Sequence, residues 1–342
     1  MIPQFNPDDL LSVNQLLTEK RKIVITTHHK PDGDALGSSL GLKHYLDLKG
    51  HEVTVVTPSE YPDFLAWMKG SEEVIDYIKS TKLANEAFAK AEIVFCLDFN
   101  DPKRVERLQN LLNGFQGVKI LMDHHLDPVS FCNYTFSFPK SCATSEIIFH
   151  FIVACGDRNL LDQNIASCLY AGLITDTGSF RFDSVSADTH EVVAQLLTTG
   201  IKHSLIHDYI YDSYSEARLH FMGFCLKDKL VVHQEFHTAH IAVTRAEMDM
   251  YKHQAGDLEG IVNFALSIKG IKMAALFSER DGIVKISFRS KGNFSVKELA
   301  EQNFEGGGHK NAAGGRSALS LKDTVKKFDD LLPLYKNKLE VG

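Results

Sequence analysis

The sequence holds no paired-cysteine motif. Its six cysteines, Cys96, Cys132, Cys142, Cys155, Cys168 and Cys225, are scattered without a C-x-x-C spacing. No charged-then-apolar leader opens the chain, and the two features together imply a reduced, cytoplasmic setting. Long apolar runs are missing too, none approaching the ~20 residues needed to cross a hydrocarbon core. The opening Met1-Ile2-Pro3-Gln4 carries no lipidation signal, so no membrane attachment is expected. Basic residues are not in excess: the net charge is −7. A protein that grips long nucleic acid usually carries a basic surface to replace counterions on the phosphates, so any nucleotide substrate is expected to be short. There is no repeat at solenoid periods and no low-complexity tract, which leaves function to particular residues.

What is present is ordinary globular composition, 44% apolar and 24% charged over 342 residues, a length that fits two domains. Asn6 followed by Pro7 reads as a helix start. Four apolar runs, Ile23 to Ile25, Val53 to Val56, Ile93 to Leu97 and Val118 to Met122, alternate with longer helix-like stretches, which predicts a parallel, helix-covered sheet. The span from Ser141 to Gly178 reads as helical, broken at Gly156 and Asp157, and Thr189 to Leu197 as a further helix. Further on, Lys229 to His233, His240 to Val243, Ala274 to Phe277 and Val284 to Phe288 read as strands, with helices around Gly256 to Ser267 and Val296 to Asn303. The fold class is therefore α/β. Residues 1–205 form the larger domain, 206–228 a packed helical connector, and 229–342 a smaller α/β (α+β) domain.

The first dense cluster of reactive side chains is His28-His29-Lys30-Pro31-Asp32-Gly33-Asp34, lying between a strand and an apparent helix. In an open parallel sheet, ligands gather outside the carboxyl ends of the strands. Asp98 ends the next buried strand, Asp123-His124-His125 ends the one after, and Asp176 closes an apolar segment at a small polar turn. Taken singly, each is more readily a helix cap, a turn residue or a satisfied histidine. Taken together they put several charges at buried segment ends, which is costly without a cation. Carboxylate and imidazole donors without thiolate favour manganese or magnesium over zinc, and the histidines tip the choice to manganese. His28, Asp32, Asp34, Asp98, His124 and Asp176 are enough for two ions if Asp98 is shared. A pair about 3.5–4 Å apart lowers the pKa of a bridging water and neutralises phosphate charge under in-line attack.

A second candidate region is Gly306-Gly307-Gly308-His309-Lys310-Asn311-Ala312-Ala313-Gly314-Gly315. It reads as a glycine-rich loop whose backbone N–H groups, or those of a helix following it, bind an anion, with His309 as a further donor. Arg289, ending a strand, offers a bidentate fork to the same phosphate.

These residues together resemble the DHH phosphoesterase superfamily, named for the triplet standing here as Asp123-His124-His125, in its branch with a DHHA1-type C-terminal domain. Within that branch they are similar to the nanoRNase and pAp phosphatase group. The motifs His28-x-x-Pro31-Asp32-x-Asp34, Asp98, Asp123-His124-His125, Asp176 and Gly306-Gly307-Gly308-His309 occur in order over nearly the whole chain.

The resemblance implies that His28, Asp32 and Asp98 hold one manganese, and that Asp34, Asp98, His124 and Asp176 hold the other. His125 would face the substrate, where it either stabilises the phosphate or passes a proton to the departing oxygen, steadied by Asp123. Arg289, Gly307, Gly308 and His309 would bind a terminal phosphate across a cleft between the domains. The implied substrates are very short oligoribonucleotides and 3′-phosphoadenosine 5′-phosphate (pAp), and a homodimer is expected from the class. Rival readings are a linear-dinucleotide phosphodiesterase, a pyrophosphatase or polyphosphatase, and a catalytically silent nucleotide-binding protein. The last would be expected to have lost a ligand.

Overall fold

Runs of β-branched and large apolar residues that can be buried on both faces become the inner strands of a sheet. In the computed structural model, which describes residues 2–254, 256–280 and 282–341, the chain divides into two compact units, one ending at Ser213 and one starting at Tyr214. Met1 of the opening tetrapeptide lies outside the described residues. Among the described residues no helix is long and apolar enough to cross a membrane.

The first unit runs α1 (Pro7–Leu16), β1 (Lys22–Thr26), α2 (Gly33–Leu48), β2 (Glu52–Thr57), β3 (Ile75–Asp76), α3 (Thr81–Lys90) and β4 (Ile93–Leu97). It continues with α4 (Gln109–Gly114), β5 (Val118–Asp123), β6 (Tyr134–Ser137), α5 (Thr144–Ala154), α6 (Gln163–Asp176), α7 (Ala187–Thr198) and α8 (His203–Tyr211). The sheet order is β3-β2-β1-β4-β5-β6, with every pairing parallel. The four strands read from the sequence are β1, β2, β4 and β5, and the structure adds short β3 and β6 at the edges. Every residue of β4 is buried, and Phe95 and Leu97 each contribute about 1.5–3 kcal/mol by leaving water. Strand order reverses between β1 and β4, so the crevice for a ligand opens at their carboxyl ends.

Two local features shape that crevice. Asn6 caps α1, accepting from the N–H groups of Asp8 and Asp9, as its sequence promised. More consequential are Gly33, Gly37 and Gly41, four residues apart and hence on one face of α2. A Cβ on Gly37 would stand 2.5 Å from the Cys168 carbonyl oxygen, one on Gly41 would stand 2.6 Å from Leu169, and one on Gly33 would collide with Thr175. The missing side chains let α2 and α6 pack almost backbone to backbone. Asp34 on α2 and Asp176 at the end of α6 thereby approach one another.

The second unit runs α9 (Glu216–Asp228), β7 (Leu230–His233), β8 (Thr238–Val243), α10 (Arg245–Met250), α11 (Ile261–Leu266), β9 (Met273–Arg280) and β10 (Ile283–Ser290). It ends with α12 (Val296–Asn303), β11 (Glu305–Gly308), β12 (Ala312–Ser317) and α13 (Leu321–Val341). Its sheet order is β11-β12-β10-β9-β8-β7, antiparallel except for β8 against β9. The segment 206–228, expected as a connector, is shared out: α8 belongs to the first unit and α9 to the second. The helix expected over Gly256 to Ser267 is shorter, beginning only at Ile261.

The glycine-rich segment corrects the sequence reading. It is not an open loop ahead of a helix but a hairpin, with Gly306 opposite Gly315 and Gly307 opposite Gly314. Only 309–311 form the turn, and a strand follows. A Cβ on Gly306 would collide with the Gly314 carbonyl oxygen. Gly308 sits at φ +141°, where a Cβ would lie 2.7 Å from the Ala312 carbonyl oxygen. These glycines are required first by the approach of backbone to backbone.

Candidate active site

Asp98 stands at the centre. It follows the last residue of β4 with φ at +64°, a left-handed conformation that aspartate tolerates better than most residues at a cost of about 1 kcal/mol. Its N–H donates to the Met122 carbonyl at 3.1 Å, holding the strained residue between β4 and β5. The carboxylate is almost fully buried. Its two oxygens face different histidines: Oδ2 lies 3.4 Å from His28 Nε2 and Oδ1 lies 3.4 Å from His124 Nε2.

On one side, His28 Nε2 is also 3.7 Å from Asp32 Oδ2. Asp32 divides its labour, because its Oδ1 caps α2 by accepting from Asp34 N–H at 3.1 Å and Ala35 N–H at 3.0 Å. On the other side, His124 Nε2 is 3.4 Å from Asp176 Oδ2, and Asp34 joins the group. Asp34 lies at the amino end of α5, where Thr144 N–H donates to Oδ2 at 2.6 Å and Ser145 N–H to Oδ1 at 2.9 Å. Helix N-termini favour such an anion. All six residues read from the sequence as metal ligands thus come together, in two groups that meet at Asp98.

Both histidines are turned so that Nε2 faces the carboxylates. His28 Nδ1 donates to the His29 carbonyl at 3.0 Å, and His124 Nδ1 to the Ser141 carbonyl at 3.2 Å. A carbonyl only accepts, so the proton lies on Nδ1 in each neutral ring, leaving the Nε2 lone pair to a ligand. The spacings of 3.4–3.7 Å between Nε2 and the carboxylate oxygens exceed a well-made hydrogen bond of about 2.7–3.2 Å. They suit several donors around one cation.

The electrostatics ask for positive charge. Burial pushes the Asp34 carboxyl up, and the neighbouring charges of Asp98 and Asp176 push it further, well above the carboxylate range. Burial would lower His28, but pairing with Asp32 and Asp98 overcomes it and raises the imidazole to about 10. Burial would likewise lower His124, yet Asp176 and Asp98 raise it well above its ordinary value. The cluster thus draws in protons where it lacks a cation. Oxygen and imidazole donors without thiolate suit manganese or magnesium.

The triplet splits by role of position. His124 stands with Asp34 and Asp176 in a group that could hold a metal ion, whereas His125 turns to Asp123, its Nδ1 2.7 Å from Oδ1 and its backbone N–H 3.1 Å from Oδ2. Burial lowers the His125 pKa below its ordinary value, outweighing the hydrogen bond its ring donates to Asp123, and the nearby charge of Arg104 lowers it further. His29, left without a role in the sequence, donates its backbone N–H to the Arg104 carbonyl at 2.8 Å.

Several contributors escaped the sequence reading. Thr144 donates its hydroxyl to Asp98 Oδ1 at 3.0 Å as well as its N–H to Asp34. Gly172 leaves room for Asp34 and Ser145, both of which a Cβ there would strike. The small polar run Ser141-Cys142-Ala143-Thr144-Ser145 ahead of an apolar helix was a readable helix-start signal, but nothing marked its N–H groups as partners of a residue 110 positions away. In the second unit, Arg289 on β10 lies opposite Ala312, whose carbonyl accepts the His309 N–H at 2.8 Å. Arg289, Gly307, Gly308 and His309 therefore share one end of that sheet.

Residues 22–173 match the DHH family, N-terminal domain, and residues 240–339 match the DHHA1 domain. Over 322 residues the chain is 30% identical to the bifunctional oligoribonuclease and PAP phosphatase NrnA of Thermus thermophilus, covering 93% of this chain and 90% of that protein. The chain belongs to the DHH family. A second DHH relative, the bifunctional oligoribonuclease and PAP phosphatase NrnA of Bacillus subtilis, is 25% identical over 317 residues, 92% of this chain and 95% of that one. Among solved DHH-like structures, an exopolyphosphatase-related protein from Bacteroides fragilis superposes with a TM-score of 0.94 at 37% identity, covering 98% of each chain.

Proposed function

We propose that this chain hydrolyses phosphoester bonds in very short oligoribonucleotides, releasing mononucleotides, and removes the 3′-phosphate of pAp to leave AMP. The observation that carries the chemistry is the division of Asp98, one carboxylate oxygen towards His28 and the other towards His124. The substrates rest on the names of the Thermus and Bacillus relatives.

His28, Asp32 and Asp98 would hold one divalent ion, and Asp34, Asp98, His124 and Asp176 the other, manganese being preferred over magnesium. Such a pair, when bound, activates a water and neutralises charge on the phosphate. The residues of the chain do the rest. Thr144 fixes Asp98 and Asp34 together, so that the shared ligand and its neighbour move as one. Asp123 holds the His125 ring by Nδ1 and directs Nε2 towards the substrate, where it passes a proton to the departing oxygen. Burial alone disfavours the protonated ring, and an arriving phosphate restores it. Arg289 and His309, with the backbone of Gly307 and Gly308, bind a second phosphate of the substrate. A cytoplasmic location belongs to the same reading, because all six cysteines are free, as a reducing compartment would keep them.

The test is release of phosphate from pAp and of mononucleotides from a 5′-phosphorylated diribonucleotide, with manganese and with chelator. Activity on both substrates, lost with chelator, is expected. The Bacteroides protein is described as exopolyphosphatase-related, which raises a polyphosphatase as the second reading. Hydrolysis of polyphosphate or pyrophosphate alone would select it. Turnover of none would leave a silent nucleotide binder.

A further inference from the structure

A second cluster of donor atoms lies wholly inside the C-terminal unit. His233 ends β7, an edge strand of its sheet, His240 sits within β8 beside it, and Asp329 projects from α13. His233 Nε2 is 3.3 Å from His240 Nδ1, His233 Nε2 is 3.3 Å from Asp329 Oδ1, and His240 Nδ1 is 3.6 Å from the same oxygen. A tetrahedral zinc ion with bonds of about 2.0–2.2 Å sets its ligand atoms roughly 3.3–3.6 Å apart. We propose that His233, His240 and Asp329 form a binding site for a zinc-class divalent ion, separate from the DHH cluster, with the remaining position open to water.

The alternative is a plain hydrogen-bonded polar cluster, and the atoms argue against it. One proton between the two rings satisfies that pair but leaves Asp329 Oδ1, which is buried and has no hydrogen-bond partner. A cation satisfies all three atoms at once. The rings are held for the purpose. His240 meets Phe277 and Phe328 edge-on, each at 5.9 Å between centroids, and His233 stacks on His240 at 5.2 Å. Lys326 and Asp330, which bear on Asp329 with opposite signs, pair with each other at 2.7 Å and leave the site to its own three groups. Two imidazoles and one carboxylate form a softer set than the carboxylate-rich cluster of the first unit, which favours zinc here and manganese there. An ion at this place ties the edge strand β7 to β8 and to α13.

The test uses the full chain as wild type, His233→Gln and Asp329→Asn, each stripped with chelator, dialysed against zinc and assayed for bound zinc per chain. Wild type is expected to hold one zinc more than either variant, and to show a tetrahedral cobalt spectrum component that both variants lack. Manganese-dependent turnover of the zinc-free proteins is expected to be the same in all three, which keeps a loss of fold apart from a loss of the ion. His233 is only part-buried and Asp329→Asn preserves shape, so one folded variant suffices. Equal zinc content in wild type and variants, with or without a change in thermal stability, would overturn the proposal.

Discussion

An alanine at position 37 would place its Cβ 2.5 Å from the Cys168 carbonyl oxygen, where ordinary contact begins at 3.4 Å. A backbone oxygen in the middle of α6 cannot rotate away, so α2 and α6 must part by roughly 0.9 Å, a large shift for an interior packed to crystal density. Overpacking of this kind costs about 1–3 kcal/mol, and alanine returns up to ~1 kcal/mol as a better helix former than glycine. The net loss is therefore expected at the low end, about 1 kcal/mol, a fall in melting temperature of about 2–4 °C for a unit of this size. The consequence for the site is greater. Asp34 rides on α2 and Asp176 on α6, and metal–ligand distances tolerate only about ±0.2 Å. Gly37→Ala should weaken the group of Asp34, His124 and Asp176 tenfold or more, whereas His28, Asp32 and Asp98, which do not involve α6, retain their affinity. Manganese titration followed calorimetrically resolves the two steps. A variant that binds both ions as wild type does, at whatever melting temperature, would refute the link between helix approach and ligand geometry.

Other outcomes follow from the same geometry. Asp123→Asn keeps the shape beside His125 but removes the charge that holds its Nδ1–H, so kcat should fall about 10–100-fold while manganese affinity stays within a factor of two or three, measured on the same preparation. Arg289→Ala should raise KM with little change in kcat, because the lost contact is made equally before and during reaction; a fall in kcat alone would contradict the role of phosphate anchor. His125 is depressed in the free protein, chiefly by burial, so a proton donor at this position is lost as pH rises through a value below about 6.5. The alkaline limb of kcat/KM should therefore lie at lower pH than that of kcat, since the phosphate in the complex favours the protonated ring. Coincident limbs would remove His125 from the acid role.

The legible parts of the molecule were those where burial leaves a local trace. β1 and β4 are buried parallel strands that read as apolar runs, and β5 reads as one broken only by Lys119, so the acids and histidines at their ends could be assigned to one edge from spacing alone. Asp176 was legible both as a site residue and as part of the close of a helix, since the span read as helical up to Gly178 contains α6, which ends at Asp176. The β11–β12 hairpin was illegible for a different reason. Alanine and glycine have little strand propensity, and the ladder forms because glycine opposite glycine lets two backbones close in. The hydrogen bonds from Thr144 and Ser145 to Asp34, and the meeting of His233 and His240 with Asp329, join residues far apart in the chain. Chain topology brings them together, and no local pattern encodes that.

The central claim is that Asp98 serves two ions at once, and Asp98→Asn tests it most directly. The amide keeps an oxygen for the Thr144 hydroxyl, so the fold should survive with a cooperative melt, but one carboxylate can no longer face both His28 and His124. Bound manganese per chain and turnover of pAp, measured side by side, are expected to show loss of at least one ion and of nearly all activity. Two bound ions with near-normal turnover would contradict the account.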